Sequence, residues 1–338
     1  MPPKRVAPSA NTYTAWILSG VALVLVLLLQ LLPALLAGLL VYELVIVLAP
    51  SLFNRLSHTR AKVLAVFLLA ALVVGAVAAG IAGAIAFFKS DVGSLSALLT
   101  KMAEIVASSR STLPNWLVNQ LPDGVDEIRE ALAKWFRVHA ADVQSMGQEA
   151  ARALLYTLIG MIVGALIALR KATNTEPRGP LAVELLERAA NLATAFRLVV
   201  FAQVRISLIN TLFTAVYLAL ILPLFGVELP LRKTLIAVTF VAGLLPVVGN
   251  LISNFVVVIV SSSVSSSIAF ASLAFLIVIH KLEYFLNARI VGGRIGAHAW
   301  ELLVAIIAME AAFGIPGVIA APIYYAFLKG ELASRGLV

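Results

Sequence analysis

The sequence predicts an all-α polytopic membrane protein. About six full transmembrane helices are expected, with two broken, re-entrant helical hairpins in an inverted repeat and a small helical extramembrane insertion. Three observations predict this. Hydrophobic residues make up 62% of the 338, charged residues only 12%, and the mean hydropathy is +1.03. A soluble domain is about a quarter charged. A soluble core of this size could not hide so much apolar surface, so lipid must solvate most of the chain. Apolar runs long enough to cross the bilayer recur along the sequence; a crossing takes about 20 residues. Finally, two apolar stretches in the C-terminal half break at their middle in clusters of Gly and Pro.

The spans follow in order. Span one is roughly Ala15–Leu32, preceded by the basic pair Lys4 and Arg5. The run is too long for the core of a cleaved signal, and a second begins almost at once, so it reads as a span. Span two is Ala34–Ala49, span three Val63–Phe88, span four about Ala151–Leu169 and span five about Ile206–Phe225. Residues 89–149 differ: six basic and eight acidic side chains share this stretch with Pro114 and Pro122. Within it, Ile128, Leu132, Trp135 and Phe136 fall on one helical face, the mark of an amphipathic helix in a water-exposed subdomain. Residues 180–204 read as a second amphipathic helix at the membrane surface, leading into span five, with Glu184, Glu187, Arg188 and Arg197 away from a Leu/Ala stripe. The chain thus divides into 1–88 (three spans), 89–149 (extracytoplasmic subdomain), 150–204 (fourth span and surface helix) and 205–338 (a core of two helix-plus-hairpin repeats).

Short-loop Lys and Arg set the orientation. With Lys4 and Arg5 cytoplasmic, Arg55, Arg60 and Lys62 are too, as are the basic residues of 170–205. Both termini are then expected in the cytoplasm and the chain in the inner (plasma) membrane. Arg232 and Lys233 fall on the outside, a local violation. This distribution accounts for the net charge of +8 without nucleic acid, since no basic stripe is interleaved with aromatics.

The stretch LRKTLIAVTFVAGLLPVVGNLISNFVVVIVSSS splits at Gly243, Pro246 and Gly249 into arms of about 15 and 12 residues, each short of a span. Residues 268–286 read as a continuous sixth span. Then ELLVAIIAMEAAFGIPGVIAAPIYYAFLKG splits at Gly314, Pro316 and Gly317, again into short arms. Order and parity make the two hairpins enter from opposite sides. Discontinuous helices of this kind bring unpaired backbone groups and helix-end dipoles to the midplane, where solutes bind. The alternative is that Gly and Pro only kink or pack ordinary helices, with 230–262 forming two tilted spans joined by a tight turn.

Polar residues inside the apolar stretches are candidates for a solute pathway. Glu310 lies four residues before Gly314 and is either a proton-coupling site or an acceptor for freed backbone N–H groups. His280 and Glu283 share a helix face, as a proton-linked pair or a membrane-boundary anchor. Asn250, Ser253 and Asn254 either line the pathway or cap the second arm. Glu43, mid-span, reads as an interhelical or subunit contact. No HExxH, GxSxG, Walker or nucleotide-binding glycine motif occurs, and the chain has no cysteine. An enzyme is therefore not expected, nor any cofactor or metal.

The segments GLLPVVGN (243–250), HKLEYFLNARIVGGRIGAHAW (280–300) and FGIPGVIAAP (313–322) resemble the autoinducer-2 exporter family of bacterial and archaeal permeases. Pro246, Gly249, Glu283, Asn287, Gly292, His298, Gly314, Gly317 and Pro322 fall on its motif positions, while Ala288 and Ala299 replace its usual prolines. The resemblance implies a secondary transporter, ion- or proton-coupled, for a small solute or signal such as autoinducer-2. It equally admits a sodium or lithium/proton antiporter. It also implies a homo-oligomer, with a pentamer as one form. A channel-like pore or an oligomeric membrane scaffold is the competing class. The expected partners are lipid and a small solute, monovalent cation or proton.

Overall fold

The computed structural model describes residues 9–53, 59–90, 140–173, 178–245, 248–290 and 298–337. Most of the expected water-exposed subdomain, Pro246, and the side chains of Glu283 and Asn287 lie outside the described residues. Among the described residues all regular structure is helical. The chain is an all-α, multi-pass membrane protein: among the described residues five helices are long and apolar enough to cross a bilayer, and shorter apolar helices accompany them.

Helix α1 is Ala10–Leu28, started by Ser9, whose hydroxyl accepts the Thr12 N–H at 3.2 Å. It is followed by α2 (Leu32–Phe53), α3 (Thr59–Lys89) and α4 (Ala140–Thr173). Helix α5 runs Pro180–Val216, widens into a π turn at Tyr217–Ile221 and ends in Leu222–Leu224. The expected surface helix and fifth span are therefore one uninterrupted rod. Nothing in 204–206 breaks it, because no Gly, Pro or capping residue stands there to satisfy a helix end. Helices α6 (Arg232–Gly243) and α7 (Val248–Ser262) form the first hairpin, and α8 (Ser266–Ile290) is the continuous sixth apolar helix. Helices α9 (Ala299–Phe313) and α10 (Ile315–Ser334) form the second hairpin.

The chain forms two compact units. One holds residues 1–81, 150–202 and 290–338; the other holds 82–149 and 203–289. In the first unit, α2, α3 and α4 pack through Val41, Val45, Val66 and Met161. Helices α2 and α4 cross at glycine. A side chain at Gly160 would overlap the Ala34 backbone, and one at Gly164 would overlap Gly38. Lipid provides no hydrophobic drive between helices, so this close approach of small residues supplies the association through packing. In the second unit, Leu218, Leu235, Val257 and Val260 are buried together, and Tyr217 stacks on Phe275 at 4.1 Å. The Tyr217 hydroxyl meets Ser272 at 2.9 Å, and Ser261 meets Ser272 at 2.8 Å, so each buried hydroxyl has a partner.

Both apolar stretches break. The first leaves arms of 12 and 15 residues, with Gly249 inside the first turn of α7 rather than in the turn. The second leaves arms of 15 and 20, so the last arm is longer than expected. Its final turns are polar, from Lys329 through Glu331 to Ser334.

Candidate functional site

In the second unit the end of α6 is held by α5. An α-helix ends with carbonyls that have no intrahelical donor. The Leu244 N–H, which a continuing helix would give to Phe240, bonds instead to Val241 at 3.3 Å. Ser207 Oγ donates to the Phe240 carbonyl and Gln203 Nε2 to the Gly243 carbonyl, both at 2.7 Å. Asn210 Nδ2 reaches Asn250 Oδ1 at 3.5 Å, in the first turn of α7. Gln203, Ser207 and Asn210 stand at helical spacing on one side of α5, and Ser207 and Asn210 are buried.

Several sequence-predicted residues meet here. The Gly243 carbonyl is one of the two accepting groups. A Cβ at Gly243 would come within 2.8 Å of Ser207 Oγ, so a larger residue would push that hydroxyl from its place. Gly249 is buried against the Ala242 backbone, where an added Cβ would overlap it. Ser253 is buried and donates to the Asn250 carbonyl at 3.2 Å, and Asn254 is half-buried on the same helix. His280 is exposed on α8.

The cluster contains amides, hydroxyls and helix-end carbonyls. Each carbonyl has two lone pairs and accepts one bond from α5. The C-terminus of α6 carries the negative end of a helix dipole, and the N-terminus of α7 beside it the positive end. Such a set can hold a hydroxyl- or carbonyl-bearing solute, or a desolvated cation at the carbonyl side.

The second group of predicted residues lies in the first unit, at the tip of the α9/α10 hairpin. Gly314 turns the chain at φ 63°, ψ −145°. Its N–H donates to the Glu310 carbonyl at 2.7 Å. Pro316 opens α10, and Gly317 is buried against the Met309 backbone, which leaves no room for a Cβ. The Glu310 side chain is exposed on α9, on a face it shares with Leu303 and Ile307. At the other end of this hairpin Lys329 Nζ donates to Glu301 Oε2 at 2.6 Å, and the Tyr325 hydroxyl donates to the same oxygen.

A buried ion cluster also lies in the first unit. Arg188 was expected on the outward face of a surface helix, yet its side chain is only 1% exposed. It lies 2.8 Å from Glu184, 2.9 Å from Glu187 and 3.0 Å from Glu331. The Glu187 contact is too oblique for a hydrogen bond, since Arg188 Nη2 has no hydrogen-bond partner among the described residues. Trp16 Nε1 donates to Glu331 at 3.1 Å and Thr12 Oγ1 to Glu184 at 3.1 Å. Glu43 pairs across helices with Arg197 at 3.7 Å.

Sequence reasoning missed Gln203, Ser207 and Asn210, and it turned Arg188 outward. The first three carried a signal: polar residues recurring at helical spacing inside an apolar run. A family model described as AI-2E family transporter matches residues 13–333. No curated protein and no solved structure matches the chain.

Proposed function

This chain belongs to the AI-2E family of transporters, and from that premise we propose that it is a secondary transporter whose solute site is built at the break between α6 and α7. The observation that carries the reading is the pair of hydrogen bonds from Gln203 and Ser207 to the carbonyls of Gly243 and Phe240. An apolar, membrane-grade helix stops there, and a neighbouring span offers amides and hydroxyls to the ends it leaves. Interrupted helices lined this way are where membrane transporters hold their substrates.

The chemistry favours a small polar solute rich in hydroxyl or carbonyl groups, with autoinducer-2 as the family's eponymous example. Amide and hydroxyl side chains fix such a molecule by directional hydrogen bonds. Glu310, with the expected His280–Glu283 pair, is proposed to couple solute movement to protons or a cation. The second reading, sodium or lithium/proton exchange, takes its support from the helix-end carbonyls, which are hard oxygen ligands for a monovalent cation.

Both termini are proposed to be cytoplasmic in the inner membrane. The Arg188 cluster supports this, because it joins the start of α1, the early part of α5 and the end of α10. A homo-oligomer is part of the same proposal.

The deciding experiment is counterflow in proteoliposomes, with autoinducer-2, sodium and lithium each tested at several proton gradients. Saturable autoinducer-2 uptake, stimulated from the trans side and lost in Gln203→Ala, is the expected result. Exchange of sodium or lithium alone selects the antiporter. A conductance that never saturates overturns the transporter reading in favour of a pore.

A further inference from the structure

The first unit contains a cavity of about 1100 Å³ between α1, α2, α4 and the start of α5. That exceeds the roughly 300–1,000 Å³ typical of small-molecule pockets. Its walls are apolar, with Leu35, Leu39, Val163 and Leu186 among them. Its mouth is basic: Arg170, Lys171 and Arg178 all line it, and no carboxylate does among the described residues. Lys171 is held in place there, donating to the Tyr42 hydroxyl at 2.8 Å with its ammonium 5.4 Å from the ring centroid.

Length narrows the occupant. Along α4 the lining runs from Ile159 to Lys171. At ~1.5 Å per residue this is about 18 Å, close to the hydrocarbon depth of one leaflet, half of ~30 Å. The cations cluster at one end of that run. The cavity is therefore amphiphilic along its axis, oily for the depth of one leaflet and positive at its end.

We propose that this cavity binds one anionic diacyl phospholipid, with its phosphate on Arg170, Lys171 and Arg178 and an acyl chain along α2 and α4. Basic pockets between transmembrane helices are suited to such headgroups, and each cation near the surface favours an anionic lipid about fivefold. A soluble anion would not need the apolar walls. A zwitterionic lipid would gain little from three cations. The proposal stands apart from the solute site, since all these residues belong to the first unit.

The test uses the full chain in nonionic detergent. Native mass spectrometry counts retained lipid after incubation with phosphatidylglycerol or phosphatidylcholine, and thermal unfolding is followed in parallel. The wild type is expected to retain phosphatidylglycerol roughly a hundredfold over phosphatidylcholine, about fivefold for each cation. The R170Q/K171Q/R178Q variant is expected to lose that preference by roughly a hundredfold, about fivefold for each cation. Leu39→Trp with Val163→Trp fills the cavity without touching charge, and is expected to lose the retained lipid as well. Equal retention of both lipids by the wild type overturns the proposal, and that comparison needs no variant to fold. So does full retention by either variant. Stabilisation by inorganic phosphate equal to that by phosphatidylglycerol overturns it in favour of a simple anion site. Loss of oligomer on filling the cavity, with lipid retention unchanged, overturns it in favour of a second copy of the chain.

Discussion

Arg188 and Glu331, 143 residues apart in sequence, pair at 3.0 Å with both side chains buried. Taking one charge of such a pair away leaves the other stranded in a low-dielectric place, which costs about 3–5 kcal/mol. Arg188→Met leaves buried Glu331 with hydrogen bonds from Trp16 and Asn191 but without its paired cation, while Glu184 keeps Arg335 at 3.8 Å, and a loss towards that size is expected in detergent unfolding. Glu331→Gln keeps an acceptor for Trp16, and Arg188 keeps Glu184 at 2.8 Å. Its expected cost is smaller, about 1–3 kcal/mol. Equal losses from the two variants would show that Arg188 does not organise the cluster.

The same cluster fixes where the start of α1 and the end of α10 lie relative to each other. Trp16 donates to Glu331, so the start of α1 and the end of α10 are at one level of the first unit. The chain has no cysteine, which makes single-cysteine labelling clean. Tyr13→Cys and Leu337→Cys, both at exposed positions, are expected to react with an impermeant maleimide from the same side of the membrane. Labelling from opposite sides would contradict the fold of this unit.

At the first break, Ser207→Ala removes the donor to the Phe240 carbonyl. A buried carbonyl left without a partner costs about 1–3 kcal/mol. Gln203→Ala does the same at Gly243. Transport in proteoliposomes is expected to fall at least tenfold in each. Gln203→Glu, which loses the amide donor but keeps the shape, is expected to behave like Gln203→Ala. Unchanged flux in all three would remove α5 from the solute site.

Gly249→Ala and Gly317→Ala drive a methyl into the backbones of Ala242 and Met309 respectively. Overpacking of this kind costs typically about 1–3 kcal/mol, and here neither neighbour is a side chain that can swing away. Both variants are expected to unfold earlier and to transport poorly. Gly75→Ala, where nothing lies within 4 Å of the new carbon, is the matched control and is expected to be silent.

The spans were legible because length and apolarity follow directly from the thickness of hydrocarbon. The two breaks were legible because Gly and Pro leave a helix few other options. Arg188 was not. Its partners lie on α5 and, far away in sequence, at Glu331, and helical periodicity alone turned it toward solvent. The continuity of α5 was also hidden, since the change from mixed to apolar composition near residue 205 looks like a boundary although the backbone has no reason to stop there. Gln203, Ser207 and Asn210 were passed over for the same cause: they straddle that false boundary. Glu310 lies four residues before Gly314, and its exposure depends on which face α9 turns outward; a 15-residue helix that is apolar nearly all round does not declare this.

The two reversals differ in what keeps them closed. At Gly314 the bend is written into the main chain itself, at dihedral angles that only glycine tolerates cheaply, and no side chain can be withdrawn to release it. Across the bend after Gly243 the described side-chain holds are the hydrogen bonds from Gln203, Ser207 and Asn210, each worth only about 1 kcal/mol net. The first hairpin is thus expected to yield before the second. Amide exchange should be faster at Leu244 and Leu245 than at Gly314, and the reverse order would assign the moving part to the other hairpin.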